Sequence, residues 1–252
     1  MREVEYPSVF QFRLVVYSFG IAFLVWLAFW ADLRYDLNMR TFGVYPRTWE
    51  GFKGILFTPF VHKDIGHITN NTISLVALLW FLFYFYPKAA WRVLIWGTLL
   101  SGLGTWLIGR PAFHIGASGV VYMLVSFLFF KGVFSGYYRL IALSLIVVFL
   151  YGGLLWYVFP VDPKISWEGH LSGFFVGFVL AGIVKSGVIR EYHYPWEHPE
   201  FDPSKDPFMR RFDESGNFVP EEPEPEEAES EEDSPKIVIK YTYKEKKDDD
   251  LE

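Results

Sequence analysis

The sequence predicts an all-α membrane protein, a bundle of six transmembrane helices followed by a disordered acidic C-terminal tail. Three observations carry that prediction. Six apolar segments can be read, at about 14–31, 68–86, 91–109, 115–130, 139–159 and 169–189. At about 1.5 Å of rise per residue, runs near 20 residues span a hydrocarbon core of about 30 Å. The composition fits such runs: of 252 residues 52% are hydrophobic and 20% aromatic, with 10 Trp and 26 Phe. Aromatic residues at that level suit lipid-facing surfaces and interfacial belts. Finally, charge is divided unevenly along the chain. Residues 1–190 hold 15 Lys and Arg against 8 Asp and Glu, a net +7; residues 191–252 hold 8 against 21, a net −13.

The elements follow in order. Residues 1–13 form a short N-terminal segment and 14–190 a six-helix domain. The first apolar run is too long for a typical signal-peptide core and ends in WADLRYD with no small-residue cleavage site, so it is read as a retained helix. The linker 32–66 holds FKGILFTPFVHKDIGH with Pro59 inside it. Too apolar for a free loop and too broken to span, it is expected to be a structured, partly embedded element. Strand-like alternation of the kind found in outer-membrane barrels is missing. Residues 191–252 are expected to be a mostly disordered, Pro-rich cytoplasmic tail, because PEEPEPEEAESEEDSP (220–235) is too polar to bury a core.

Charges in the short loops orient the bundle. Lys88 and Arg92 lie between segments two and three, Lys131 and Arg139 between four and five, and Lys185 and Arg190 after six; the opposite short loops hold only Arg110 and Lys164. The positive-inside rule puts the first set and both termini in the cytoplasm. The expected location is a bacterial plasma membrane, crossed several times, with the site open to the outer side.

The fourth segment is short, and Ser118 stands at its beginning in HIGASGVVYM (114–123). A 16-residue helix covers about 24 Å, so its first turn would begin below the outer surface. The N–H groups there lack helical acceptors and need a partner such as water or an oxyanion. Other polar residues occur at similar depth. His67 and Asn71 open segment two four residues apart, Tyr122 follows Ser118 by one turn, and His170 opens segment six. Polar groups inside a membrane usually face a cavity or the bundle interior. A serine hydroxyl becomes a nucleophile when a histidine takes its proton. No carboxylate lies at these depths, Glu168 being read as near the edge, so a Ser–His dyad is expected rather than a triad. Asn71, His67 and the Ser118 N–H are candidate oxyanion donors, and Tyr122 a support for the imidazole. Gly116, Gly119, Gly173 and Gly177 are expected to serve close helix packing, with the glycines beside the serine also leaving room for a substrate backbone. His114 is read as interfacial.

GASG opening a short helix, HITNN read as H-x-x-x-N, and GHLSGFFVGFVLAG read as H-x-x-G-x-x-x-G stand in the order and spacing of the rhomboid intramembrane serine proteases, which residues 14–190 resemble. The resemblance implies a nucleophilic Ser118, a general base at His170, an oxyanion hole completed by His67 and Asn71, and Tyr122 supporting the base; His62 matches a further histidine common in the family. It also implies a serine endopeptidase that cuts transmembrane protein substrates within the lipid bilayer, with no metal or cofactor. Two positions depart from the pattern. Gly169 stands where Ala commonly precedes the base, and Trp49 and Lys53 do not reproduce a Trp-Arg pair in the first loop. Leu155 and Trp156 in the fifth segment are candidate gate residues by analogy.

Other classes fit less well. The chain has no cysteine. The two histidines of HKDIGH are five apart and no H-E-x-x-H exists for zinc. Position 120 is Val, which breaks the G-x-S-x-G elbow of soluble hydrolases. No inverted repeat suggests a transporter, and nucleic acid is not an expected partner. The main alternative is a non-catalytic rhomboid-like protein that binds or escorts membrane proteins, although such proteins lose the serine or histidine retained here.

Overall fold

In a computed structural model, residues 12–185, 196, 200–213 and 215–219 are described. The chain divides into two compact units, Met1–Arg190 and Glu191–Glu252. In the first, six long helices follow the predicted order: α1 (Phe12–Tyr35), α4 (Ile65–Phe85), α5 (Ala90–Ile108), α6 (Ser118–Ser135), α7 (Tyr138–Tyr151) and α8 (Trp167–Ile183), with the short α2 (Trp49–Phe52) and α3 (Gly54–Phe57) in the first linker. Four of the long helices, and α7 together with the 3₁₀ turn that extends it to Val158, are long and apolar enough to cross a membrane; α8 has 17 residues, about 25 Å. The protein is a multi-pass integral membrane protein.

Local chemistry sets several boundaries. Asp64 caps α4 by accepting the His67 N–H at 2.7 Å, so the helix begins three residues before the apolar run does. That bond also holds the Asp64 carboxyl below the usual carboxylate range. Helix α6 starts at Ser118 and continues past the predicted end to Ser135, where Gly136 (φ 65°) stops it in the left-handed conformation. Lys131 therefore lies within α6 and not in the loop assigned to it. Its ammonium reaches the last turn of α8, donating to the carbonyls of Ala181 (3.0 Å) and Val184 (2.6 Å).

Helix α6 is the axis of the bundle. Val120 through Leu128 are buried without a break, as expected of a helix apolar on every side and surrounded by others. Fully buried Ile68, Leu78, Leu79 and Leu82 of α4 and Leu143 of α7 pack around it. Outward faces remain apolar, with Phe149 of α7 88% exposed to what would be lipid. Because lipid is as apolar as leucine, close backbone approach and interhelical hydrogen bonds hold such helices together. Ser126 Oγ donates to the Phe174 carbonyl (2.6 Å), Ser144 Oγ to Phe129 (2.8 Å) and Ser172 Oγ to Ser101 (2.8 Å). At roughly 0.6 kcal/mol each these are secondary to backbone approach. The closest approach joins α6 to α8. A Cβ on Gly173 would lie 2.1 Å from the Gly119 carbonyl oxygen, and one on Gly177 2.3 Å from that of Met123.

The first linker is structured, as expected. Arg47 anchors it, its Nη1 donating to the carbonyls of Leu107 (3.0 Å) and Gly109 (2.8 Å), while Trp106 Nε1 donates to the Thr48 carbonyl at 2.9 Å. Arg47 and Trp106 thus supply the anchoring that Trp49 and Lys53 do not; Trp49 is 87% exposed and stacks on Phe52. In the second unit, 3₁₀ turns at Pro203–Lys205 and Met209–Arg211 precede a Phe212–Phe218 bridge closed around Asp213. The acidic run 220–235 lies outside the described residues.

Candidate active site

The polar residues converge at the ends of α4, α6 and α8. Ser118 is the first residue of α6 and His170 lies in the first turn of α8, and the glycine contacts between these helices bring Ser118 Oγ to 3.0 Å from His170 Nε2. The imidazole is fixed from two other sides. Its Nδ1 is 2.9 Å from the carbonyl oxygen of Tyr157, in the 3₁₀ turn that follows α7. A carbonyl only accepts, so Nδ1 carries the proton and Nε2 presents a lone pair to the serine. The Tyr122 ring stacks on the imidazole, centroids 4.1 Å apart and planes 8° from parallel, and its hydroxyl donates to the Leu154 carbonyl at 2.8 Å.

His67 and Asn71, on one face of α4, stand over the loop that leads to Ser118. Gly116, in that loop, has φ 105°. A Cβ there would lie 2.7 Å from His67 Cε1 and Nε2 and 3.2 Å from Asn71 Nδ2. Gly116 therefore lies outside the helix it was expected to help pack; its backbone conformation and the two side chains above it demand a glycine. Gly119 is one residue into α6, where a Cβ would meet the Gly169 carbonyl at an ordinary 3.4 Å. A cavity of about 310 Å³ opens among His67, Asn71, Ser118, Tyr122 and His170, with Lys63, Arg110 and Lys164 also in its lining. That volume is enough for a short stretch of peptide.

His62 has a place here that its sequence position did not reveal. Its Nε2 lies 3.0 Å from Asn71 Nδ2 and 3.4 Å from the Ala117 N–H, both donors, so this nitrogen is unprotonated. Burial, and then the neighbouring His67, push its pKa down to about 4, which keeps it a neutral acceptor. One Asn71 N–H is thereby engaged and the other left for the cavity. The sequence signal for His62 was the family resemblance alone; the fold of the loop before α4 brings its ring to 5.0 Å from that of His67. The Tyr157 carbonyl had no sequence signal, since every residue carries one.

Two placements correct the sequence reading. His114 is buried rather than interfacial. It bonds through Nδ1 to Ser166 Oγ and through Nε2 to the Arg110 carbonyl (3.1 Å), and a two-way backbone bridge joins it to Val44. Burial pushes its pKa down. Glu168 is also interior, 1% exposed, and faces Arg110 rather than solvent. Both residues look interfacial by position, near helix ends, but face inward because the 109–117 loop folds across the start of α8.

A model of the Rhomboid domain matches residues 48–187. Among curated proteins, the chain is similar to uncharacterized proteins of Mycobacterium bovis and Mycobacterium tuberculosis, each 37% identical over 166 residues, 61% of this chain and 66% of the relative. It is also similar to an uncharacterized protein of Mycobacterium leprae, 36% identical over 148 residues, 53% of this chain and 56% of that protein. The matches thus span just under two thirds of the length of the first two relatives and a little over half of the third.

Proposed function

The chain belongs to the rhomboid family, and from that premise we propose that it is a serine endopeptidase that hydrolyses peptide bonds in or near transmembrane segments of membrane proteins, with residues 14–190 as its catalytic domain. The observation that carries this reading is the 3.0 Å pairing of Ser118 Oγ with an imidazole nitrogen whose lone pair faces it. A non-catalytic binding protein has no use for that pairing.

In the proposed reaction Ser118 Oγ attacks the scissile carbonyl carbon while its proton passes to His170 Nε2. Negative charge builds on the former carbonyl oxygen, where the free Asn71 N–H, the His67 ring and the Ser118 N–H at the helix start are donors. The C–N bond then breaks, the amine leaves with the proton from Nε2, and the acyl group stays on Oγ. Water, deprotonated by the same nitrogen, attacks the ester; the acid departs and Oγ recovers its proton. Throughout, the Tyr157 carbonyl holds the tautomer, a task other serine hydrolases give to a carboxylate.

The loop charges support an orientation with Lys88, Arg139 and Lys185 on the cytoplasmic side and the cavity open to the outer side. By family likeness, substrates carry a small residue before the cut in a helix that unwinds readily.

A serine-reactive fluorophosphonate tests the reading. Detergent-solubilised wild type is expected to label, and Ser118→Ala is not; equal labelling would remove the nucleophile. Cleavage of a model transmembrane substrate should drop by about 10²–10⁴-fold in His170→Ala, and cleavage unchanged in that variant would remove the base.

A further inference from the structure

We propose that Arg110 and Glu168 form a positioning pair that sets the distance between the nucleophile and the base; the inference rests on the dyad reading above. Neither residue touches the reacting atoms. Glu168 precedes His170 by two positions, so at 3.6 residues per turn it points to the far side of α8 and cannot orient the imidazole directly. Its carboxylate is buried against the loop that delivers Ser118. Oε1 accepts the backbone N–H of Arg110 at 3.2 Å and lies 3.8 Å from Arg110 Nη1. The same guanidinium donates through Nη2 to the carbonyls of Pro163 (2.8 Å) and Ile165 (2.7 Å), in the turn that leads into α8. One side chain thus ties the start of the nucleophile's loop to the approach of the base's helix.

A second strand of bonds runs beside the first. His114 Nε2 donates to the Arg110 carbonyl, its Nδ1 accepts from the Ser166 hydroxyl, and Ser166 directly precedes α8. A Cβ on residue 169 would lie 2.9 Å from that hydroxyl. The glycine that replaces the family's usual alanine therefore makes room for this link.

What the pair contributes is geometric. An ion pair with a buried carboxylate and a part-exposed guanidinium 3.8 Å away gives little net stability, because desolvation of the carboxylate offsets the Coulombic gain, and Glu168 Oε2 has no hydrogen-bond partner among the described residues. The glycine contacts at Gly173 and Gly177 let α6 and α8 approach, and the Ser126 and Lys131 bonds hold their register from mid-helix to the far end. Arg110 and Glu168 fix that register at the end of the helices where Ser118 and His170 meet. The cavity walls at His67 and Asn71 belong to α4 and would keep their places.

The test uses the full chain in detergent, with Glu168→Gln, Arg110→Lys and the double variant Arg110→Met/Glu168→Met. The expected result is a fall in kcat of about 100-fold, the cost of displacing reacting groups by an ångström, with KM within about twofold. Fluorophosphonate labelling should slow in parallel, the melting temperature should change little, and the double variant should be no slower than the slower single, as coupled residues behave. Wild-type kcat and labelling rates in the variants would overturn the proposal. So would a raised KM with kcat kept, which would assign Arg110 to substrate binding. Loss of folded protein in step with activity, in the mild Arg110→Lys as well, would assign the pair to stability alone. Ser118→Ala separates the premises: if it labels like wild type the dyad itself fails, whereas labelling confined to Ser118 with full-rate Glu168 and Arg110 variants sinks only the pair.

Discussion

Asn71 Nδ2 donates to His62 Nε2 at 3.0 Å, and the acceptor sits in the loop before α4 rather than on a transmembrane helix. The bond requires a neutral His62. The folded pKa is pushed down to about 4 from an ordinary 6.5, so the unfolded chain takes up the proton first. The stability tied to a neutral His62 is therefore full above pH 6.5 and declines as pH falls through the window to 4, by on the order of 3 kcal/mol. Melting temperatures of the detergent-solubilised protein should drop across that window. His62→Gln, which still accepts from Asn71 but does not titrate, should show a shallower pH slope. Identical slopes would mean that His62 does not carry the effect.

Gly116→Ala should abolish most activity. The new methyl meets His67 at 2.7 Å in a residue held at φ 105°, and strain of that kind costs about 1–3 kcal/mol. The strain bears on the proposed oxyanion donors, so substrate cleavage should fall further than thermal stability does. Unaltered cleavage would show that the loop adapts without disturbing His67 and Asn71.

Gly173→Ala and Gly119→Ala make a matched pair on the two sides of one helix contact. The first drives a methyl to 2.1 Å from the Gly119 carbonyl; the second places one at 3.4 Å from the Gly169 carbonyl. Overpacking costs about 1–3 kcal/mol, so Gly173→Ala should lower the melting temperature clearly and Gly119→Ala hardly at all. Equal melting temperatures would show that α8 shifts freely against α6.

Tyr122 offers its ring and its hydroxyl separately. Tyr122→Phe keeps the stack on His170 and loses the bond to the Leu154 carbonyl, a bond of about 0.5–1.5 kcal/mol. A loss of up to about tenfold in kcat is expected. Tyr122→Ala removes the ring as well and should be distinctly slower. If the two variants were equally impaired, the hydroxyl rather than the stack would be what supports the base.

The sequence by itself determined the six-helix membrane architecture, because hydropathy and segment length are local properties and backbone groups in lipid must pair within their own helix. It also determined on which helix each of His67, Asn71, Ser118, Tyr122 and His170 lies, since motif spacing is a property of contiguous residues. Helix ends were less legible: the Asp64 cap moved the start of α4, and Gly136 rather than the end of the apolar run terminated α6.

Only the tertiary structure decided what meets what. The carbonyl that fixes the His170 tautomer belongs to Tyr157, and no side-chain pattern marks a backbone acceptor. Glu168 and His114 looked interfacial because they lie near segment ends, yet both are buried, since the loop from Arg110 to Ala117 folds over the start of α8. Arg110 looked like a loop charge and is a bridge between two elements more than fifty residues apart. Burial and pairing of this kind depend on residues remote in the chain, brought together where Gly173 and Gly177 allow two helices to touch, and no local reading of composition or spacing contains that information.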